Sequence, residues 1–228
     1  MTTAAAERLT ALCNEFRLPT LASELVRRLV GDGHEALIPL VAEIFELEAD
    51  DRRERRVERL LRMSKLPPGK TLDTLDDTRL PRPLLQQLRE LARGEFLDRA
   101  TNVLAFGLPG VGKSHVAAAI GHALVSSGRS VLFTPTFRLV QELLTAKRDL
   151  VLPRVLAKLD AFDLVVLDDI GYVQQAPDEI EVLFTLLAER YERRSVMITS
   201  NLVFSEWGQI FKNPMTTAAA IIGSCTTR

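Results

Sequence analysis

The eight residues GLPGVGKS, Gly107 to Ser114, decide how the rest of the chain is read. Glycines at 107 and 112, lysine at 113 and a hydroxyl at 114 fit G-x-x-x-x-G-K-[ST] at every fixed position. The apolar run NVLAF precedes them and the helical pattern KSHVAAAIGHAL follows, so the stretch is a strand–loop–helix turn. The layout suits a phosphate. Glycines let successive backbone N–H groups close around the anion, and the helix N-terminus adds partial positive charge. Lys113 is placed to reach terminal phosphates, and the Ser114 hydroxyl to ligate Mg²⁺. The expected nucleotide-binding set is Gly107, Leu108, Pro109, Gly110, Val111, Gly112, Lys113, Ser114 and His115.

Working outward, LVVLDDIG places Asp168 and Asp169 at the end of a buried apolar strand, 55 residues after the lysine. That gap accommodates two helices and an intervening strand. In open α/β sheets ligands sit beyond the carboxyl ends of the strands. Asp168 is therefore expected to hold Mg²⁺, and Asp169 to activate the attacking water. SVMITSNL is the next strand and ends in Thr199, Ser200 and Asn201. An amide there can bond a γ-phosphate or the attacking water, a role expected of Asn201.

Four strand-like runs, NVLAF, SVLF, LVVL and SVMIT, alternate with helical segments from residue 101 onward. That alternation predicts an α/β fold, a parallel sheet sandwiched by helices. The first 66 residues read differently. AAERLTALCNEF and TLASELVRRLV carry helical apolar spacing, and a longer helical segment runs from about Glu35 to Lys65, interrupted at most near Pro39. The expected organisation is a small all-helical N-terminal domain (1–66), a linker (67–82) containing Pro67, Pro68 and Gly69, and the ATPase domain (83–228). RPLLQQLRELARG opens that last domain as a helix stopped by Gly94.

Hydrophobic residues at 46 % and charged residues at 26 % fit a globular chain rather than a disordered one. The net charge of −1 favours no class of partner. Cys13 and Cys225 have no metal-ligand spacing, which points to a reducing compartment. No leader or run of 18 apolar residues occurs, so a cytoplasmic protein with no membrane partner is expected. His34, His115 and His122 have no neighbours that suggest a metal site, and Trp207 is expected to anchor a short helix.

One segment is strongly basic. Residues 51–70 hold eight Lys/Arg and three Asp/Glu. On a helix Arg52, Arg55, Arg56, Arg59 and Arg62 share one face, with Val57, Leu60 and Leu61 on another. A helix of that kind packs by its apolar stripe and can meet nucleic-acid phosphates with its cations, although charged stripes are often merely solvated.

Together GLPGVGKSHVAAAIGHAL, LVVLDDIG, ITSNLVFSEWGQIFKNPMTTAAAI and RRVERLLRMSKLPPGKTLDTLD resemble the IstB-like ATP-binding proteins from about residue 5 to Ile221. These are insertion-sequence transposition helpers, related to the DnaC helicase loaders among P-loop NTPases of the AAA+ class. The resemblance implies ATP and Mg²⁺ as cofactors, double-stranded DNA and a transposase as partners, ATP-controlled assembly on DNA, and a homo-oligomer when intact. A replicative helicase loader would share the ATPase core but use its N-terminal domain to grip a helicase. A P-loop small-molecule kinase would need an arginine-rich lid, which is not evident. A catalytically dead binding module is the remaining alternative.

The chain closes on NPMTTAAAIIGSCTTR, whose last eight residues lack any helical or strand pattern. The family typically continues after TTAAAI with a sequence like DRLVHHS. Deleting one G from a suitable coding of IDRLVHHS shifts the frame to encode IIGSCTTR, residues 221–228. The expectation is a C-terminus altered by a frameshift from Ile222. By the resemblance, two arginines of the ATPase site and the strand flanking NVLAF are then missing, and hydrolysis by such a chain is left open.

Overall fold

The computed structural model describes residues 2–76, 78, 80–170 and 176–201. The expectations for Trp207 and for residues 221–228 lie outside them. The chain divides into two compact units, Met1–Glu58 and Arg59–Arg228.

The first unit is helical. It contains α1 (Thr2–Glu15), α2 (Pro19–Gly31) and a 3₁₀ turn (Glu35–Leu37), then most of α3 (Ile38–Ser64). Leu9, Cys13, Ile38 and Ala42 form its buried centre, with Leu25, Val26 and Phe45 packed against them. Pro39 does not interrupt α3, because it occupies the first turn, where no intrahelical N–H bond is lost. The division between units falls inside α3, between Glu58 and Arg59, and the helix continues through it to Ser64, just short of residue 66.

The second unit holds α4 (Arg82–Arg93), α5 (Glu95–Asp98), β1 (Val103–Phe106), α6 (Lys113–Ser126), β2 (Val131–Pro135), α7 (Thr136–Arg148), α8 (Leu152–Asp160), β3 (Leu164–Asp168), α9 (Pro177–Arg190) and β4 (Ser195–Ser200). All four expected strands form, and they pair in parallel in the order β1-β4-β3-β2. Leu139, Leu143, Leu156, Leu159, Val182 and Leu186 cover one face of the sheet. Helix α6, with buried Ala117–Ile120 and Leu124, also packs on the sheet, and α4 packs on α6. A third helix, α8, stands in the gap between the phosphate loop and the aspartates, where the sequence predicts two. It is short and begins with Pro153 in its first turn, so it extends the preceding apolar pattern without a separate signal.

Gly94 ends α4 in the left-handed region at φ 82°, as its position predicts. Arg190, at the end of α9, is 1 % exposed. Its guanidinium donates to the carbonyls of Leu159 (2.7 Å), Phe162 (2.8 Å) and Ser195 (3.0 Å), which ties the α8–β3 turn to the start of β4. Burial pushes its pKa down to about 10, still cationic at neutral pH. Among the described residues no helix is long and apolar enough to cross a membrane.

Candidate functional site

Three neighbouring strands, β1, β4 and β3, end on one side of the sheet. Phe106 pairs with Ser200 and Leu167 with Ile198, so their carboxyl ends lie level. The loop after β1 leads into α6. Gly110 and Gly112 have φ of 82° and 93°, a region where a side chain would be strained, which is why glycine is needed there. The Gly107 N–H donates to Ser200 O at 3.2 Å and anchors the loop to β4. Lys113 Nζ donates to the carbonyls of Gly107 (2.6 Å) and Leu108 (2.9 Å), so the ammonium lies against its own loop. Leu108 and Val111 are exposed at the loop's tip, whereas Pro109 lines the cleft beside it.

The cleft has a volume of about 370 Å³. Gly110, Gly112, Lys113, Ser114 and His115 line one side, and Asp169, Thr199 and Asn201 line another. Residues far apart in the chain thus meet where a phosphate chain would sit. Thr199 links the two acidic positions. Its Oγ1 donates to Asp168 Oδ1 at 2.6 Å and accepts from the Asp169 N–H at 2.8 Å. Thr136 Oγ1, from the first residue of α7, donates to Asp168 O at 2.9 Å, so the end of β3 is held from β4 on one side and from the start of α7 on the other.

Asp169 adopts φ 61°, an uncommon conformation for a residue with a side chain, and one that Asp tolerates better than most. Such backbone strain is of order 1–3 kcal/mol and concentrates at functional sites. Burial raises the Asp169 pKa, and the adjacent Asp168 carboxylate raises it further, while Lys113 opposes both. The solvent-shielded Oδ1 of Asn201 meets no hydrogen-bond partner among the described residues.

Two members of this cleft escape sequence reasoning. The Thr199 hydroxyl stands in TSN beside the more conspicuous Asn201, and nothing local shows that it faces β3. Lys70, from the segment read as a linker, also lines the cleft.

The basic stripe of α3 is not uniform. Arg52 Nε donates to Glu48 Oε1 at 2.5 Å, and the guanidinium lies 4.1 Å above the Phe16 ring centre. Arg55 pairs with Asp51 and, at 3.8 Å, with Glu48. Arg59 and Arg62 are exposed and carry no ion pair among the described residues. The paired acids one turn back offset the charge of Arg52 and Arg55, an effect that no count of basic residues reveals.

Comparison with known proteins gives this cleft a context. A protein of known structure, AMPPCP-bound DnaA from Aquifex aeolicus, superposes with a TM-score of 0.59 at 18 % identity, over 71 % of this chain and 50 % of that one. A crystal structure of DnaI superposes with a TM-score of 0.56 at 20 % identity, over 69 % of this chain and 90 % of that one. These likenesses show that the chain shares the fold of these proteins, a parallel sheet layered with helices. A putative insertion-sequence ATP-binding protein of Sinorhizobium fredii is 45 % identical over 218 residues, which cover 94 % of this chain and 73 % of that protein. The model of the IstB-like ATP binding protein family matches residues 11–224. With its phosphate loop, paired aspartates and helical N-terminal unit, the chain belongs to the IstB-like ATP-binding protein family.

Proposed function

We propose that the protein binds ATP with Mg²⁺ in this cleft, hydrolyses it, and uses the nucleotide state to control its assembly, as a homo-oligomer, on double-stranded DNA. In that state it serves a partner transposase in the cytoplasm as a transposition helper. The observation that carries the reading is the convergence of Lys113, Asp169, Thr199 and Asn201 on one cleft at the carboxyl ends of three parallel strands. The insertion-sequence relative at 45 % identity supports the helper role.

Each side chain has a role. The loop's N–H groups and the start of α6 receive the phosphates, and Lys113 exchanges Gly107 O and Leu108 O for phosphate oxygens. Ser114 and Asp168 would hold Mg²⁺, offering one hydroxyl and one carboxylate, hard oxygen donors that suit such an ion. An ion held there would neutralise negative charge on the transferring phosphoryl group. Thr199 fixes Asp168 in its rotamer. Asn201 orients the attacking water, and Asp169 accepts its proton as the bond from the γ-phosphorus to the bridging oxygen breaks, leaving ADP and phosphate. A raised pKa makes Asp169 a better proton acceptor than an ordinary carboxylate. On α3 the cations Arg52, Arg55, Arg56, Arg59 and Arg62 face the DNA backbone without reading sequence.

A binding assay on duplex DNA of arbitrary sequence tests this. With ATP and Mg²⁺ the protein should form complexes that dissolve with ADP, and Lys113→Ala should bind neither ATP nor DNA in the ATP-dependent mode. DNA binding that is the same with ATP, with ADP and without nucleotide would overturn the proposal.

A further inference from the structure

The segment after α3 is a strap rather than a free linker. The Ser64 hydroxyl, fully buried, donates to Leu61 O at 2.7 Å and accepts from the Leu66 N–H at 3.2 Å, which closes the helix end. Lys65 then turns the chain at φ 54°. Leu66 packs onto α6 at Gly121, where an added Cβ would come within 2.7 Å of Leu66 Cδ2. Glycine at this point lets the strap lie close to the helix. His122 Nε2 lies 3.0 Å from Pro67 O.

Further on, one hydroxyl gathers the strap. Thr74 Oγ1 lies 2.8 Å from Gly69 O and 3.0 Å from Thr71 O, and it accepts from the Thr71 N–H at 3.0 Å. The same oxygen lies 3.2 Å from His115 Nε2, in the first turn of α6. Leu66 and Pro67 meet α6 at Gly121 and His122, whereas Thr74 meets it at His115, nearer the start of that helix. The strap therefore runs back along α6 toward its N-terminus, and this carries Lys70 to the cleft.

We propose that Lys70 is a second cation of the nucleotide phosphate site, approaching from the strap, with Thr74 as its positioning residue through the hydrogen bond to His115. This rests on the ATP reading above. Lys70 is half-buried, lines the same cleft as Lys113 and Ser114, and has no acidic partner among the described residues. A triphosphate brings more negative charge than one lysine and a helix N-terminus offset, and a second ammonium supplies a charge-assisted hydrogen bond. Held by three anchors, the strap loses little further freedom when Lys70 engages.

Calorimetry on the full chain with ATP, ADP and adenosine tests the assignment. Lys70→Met keeps the stem and removes the charge. It should weaken ATP binding about 10- to 100-fold, the range of a hydrogen bond to a charged group. Adenosine affinity should stay unchanged, and Lys70→Arg should restore most of the ATP affinity. Thr74→Val should weaken ATP binding, yet add nothing in the Lys70→Met background, because it acts through the lysine. Unchanged ATP affinity in Lys70→Met, an equal loss for adenosine, or full additivity with Thr74→Val would each overturn the inference. Lys113→Ala separates the two failures. If it abolishes ATP binding while Lys70→Met does nothing, only Lys70 is misassigned. If it too binds ATP normally, the ATP site itself is misread.

Discussion

The Thr199 hydroxyl donates to Asp168 Oδ1 at 2.6 Å, across the β3–β4 pairing, and at the same time accepts from the Asp169 N–H at 2.8 Å. One oxygen thereby sets both the rotamer of the Asp168 carboxylate and the path of the backbone into its neighbour. Thr199 is 1 % exposed, so water cannot take over either bond.

Thr199→Val keeps the shape and removes both bonds. ATP affinity should stay within a few-fold of wild type, because the phosphate loop is untouched. Turnover should fall about 10- to 100-fold, the range for partners that orient a metal ligand, and the Mg²⁺ concentration for half-maximal rate should rise. Wild-type turnover and Mg²⁺ dependence in the variant would show that Asp168 needs no such support.

Asp169→Asn should abolish hydrolysis but retain ATP binding, and Asn tolerates the φ of 61° at this position. The pH dependence of stability has a definite sign. Burial and Asp168 raise the folded-state pKa above the unfolded value. The native state therefore binds more protons within the window from about 3.9, the ordinary Asp value, up to the raised one. Wild-type stability should fall as pH rises through that window, and this contribution should vanish in the variant. Urea unfolding at a series of pH values compares them. Identical pH profiles would contradict the shift.

Arg190→Met removes a buried cation and leaves the carbonyls of Leu159, Phe162 and Ser195 without their shared donor. Each buried carbonyl stranded in this way is destabilising, and the sum should reach about 2–4 kcal/mol. Denaturant midpoints measure it. A variant as stable as wild type would mean that water or a shifted side chain satisfies these groups.

On α3, replacing Arg59 and Arg62 by Gln should weaken DNA binding more than replacing Arg52 and Arg55. The latter pair is already engaged by Glu48 and Asp51. The log–log salt slope should become shallower by about 0.9 for every DNA phosphate that the variant no longer neutralises. Fluorescence anisotropy across a salt series reads that slope. Equal losses for both pairs would show that DNA displaces the helix's own acids.

Local sequence by itself determined the strand–loop–helix turn at GLPGVGKS, the four parallel strands, the basic helix and the stop at Gly94. In each case the information lies within a few residues: the spacing of glycines, the period of apolar side chains, the cap. Only tertiary structure decided the strand order β1-β4-β3-β2, the pairing of Thr199 with Asp168, the burial of Arg190 and the route that brings Lys70 to the cleft. Parallel pairing joins residues separated by whole helices, so local propensity does not specify which strand ends meet. Arg190 lies in AERYERR and reads as one of several surface charges, because its three carbonyl partners belong to other segments. The proline-rich strap carries no apolar period, yet Gly121 on α6 leaves room for Leu66, and that fit exists only once the two segments are packed side by side.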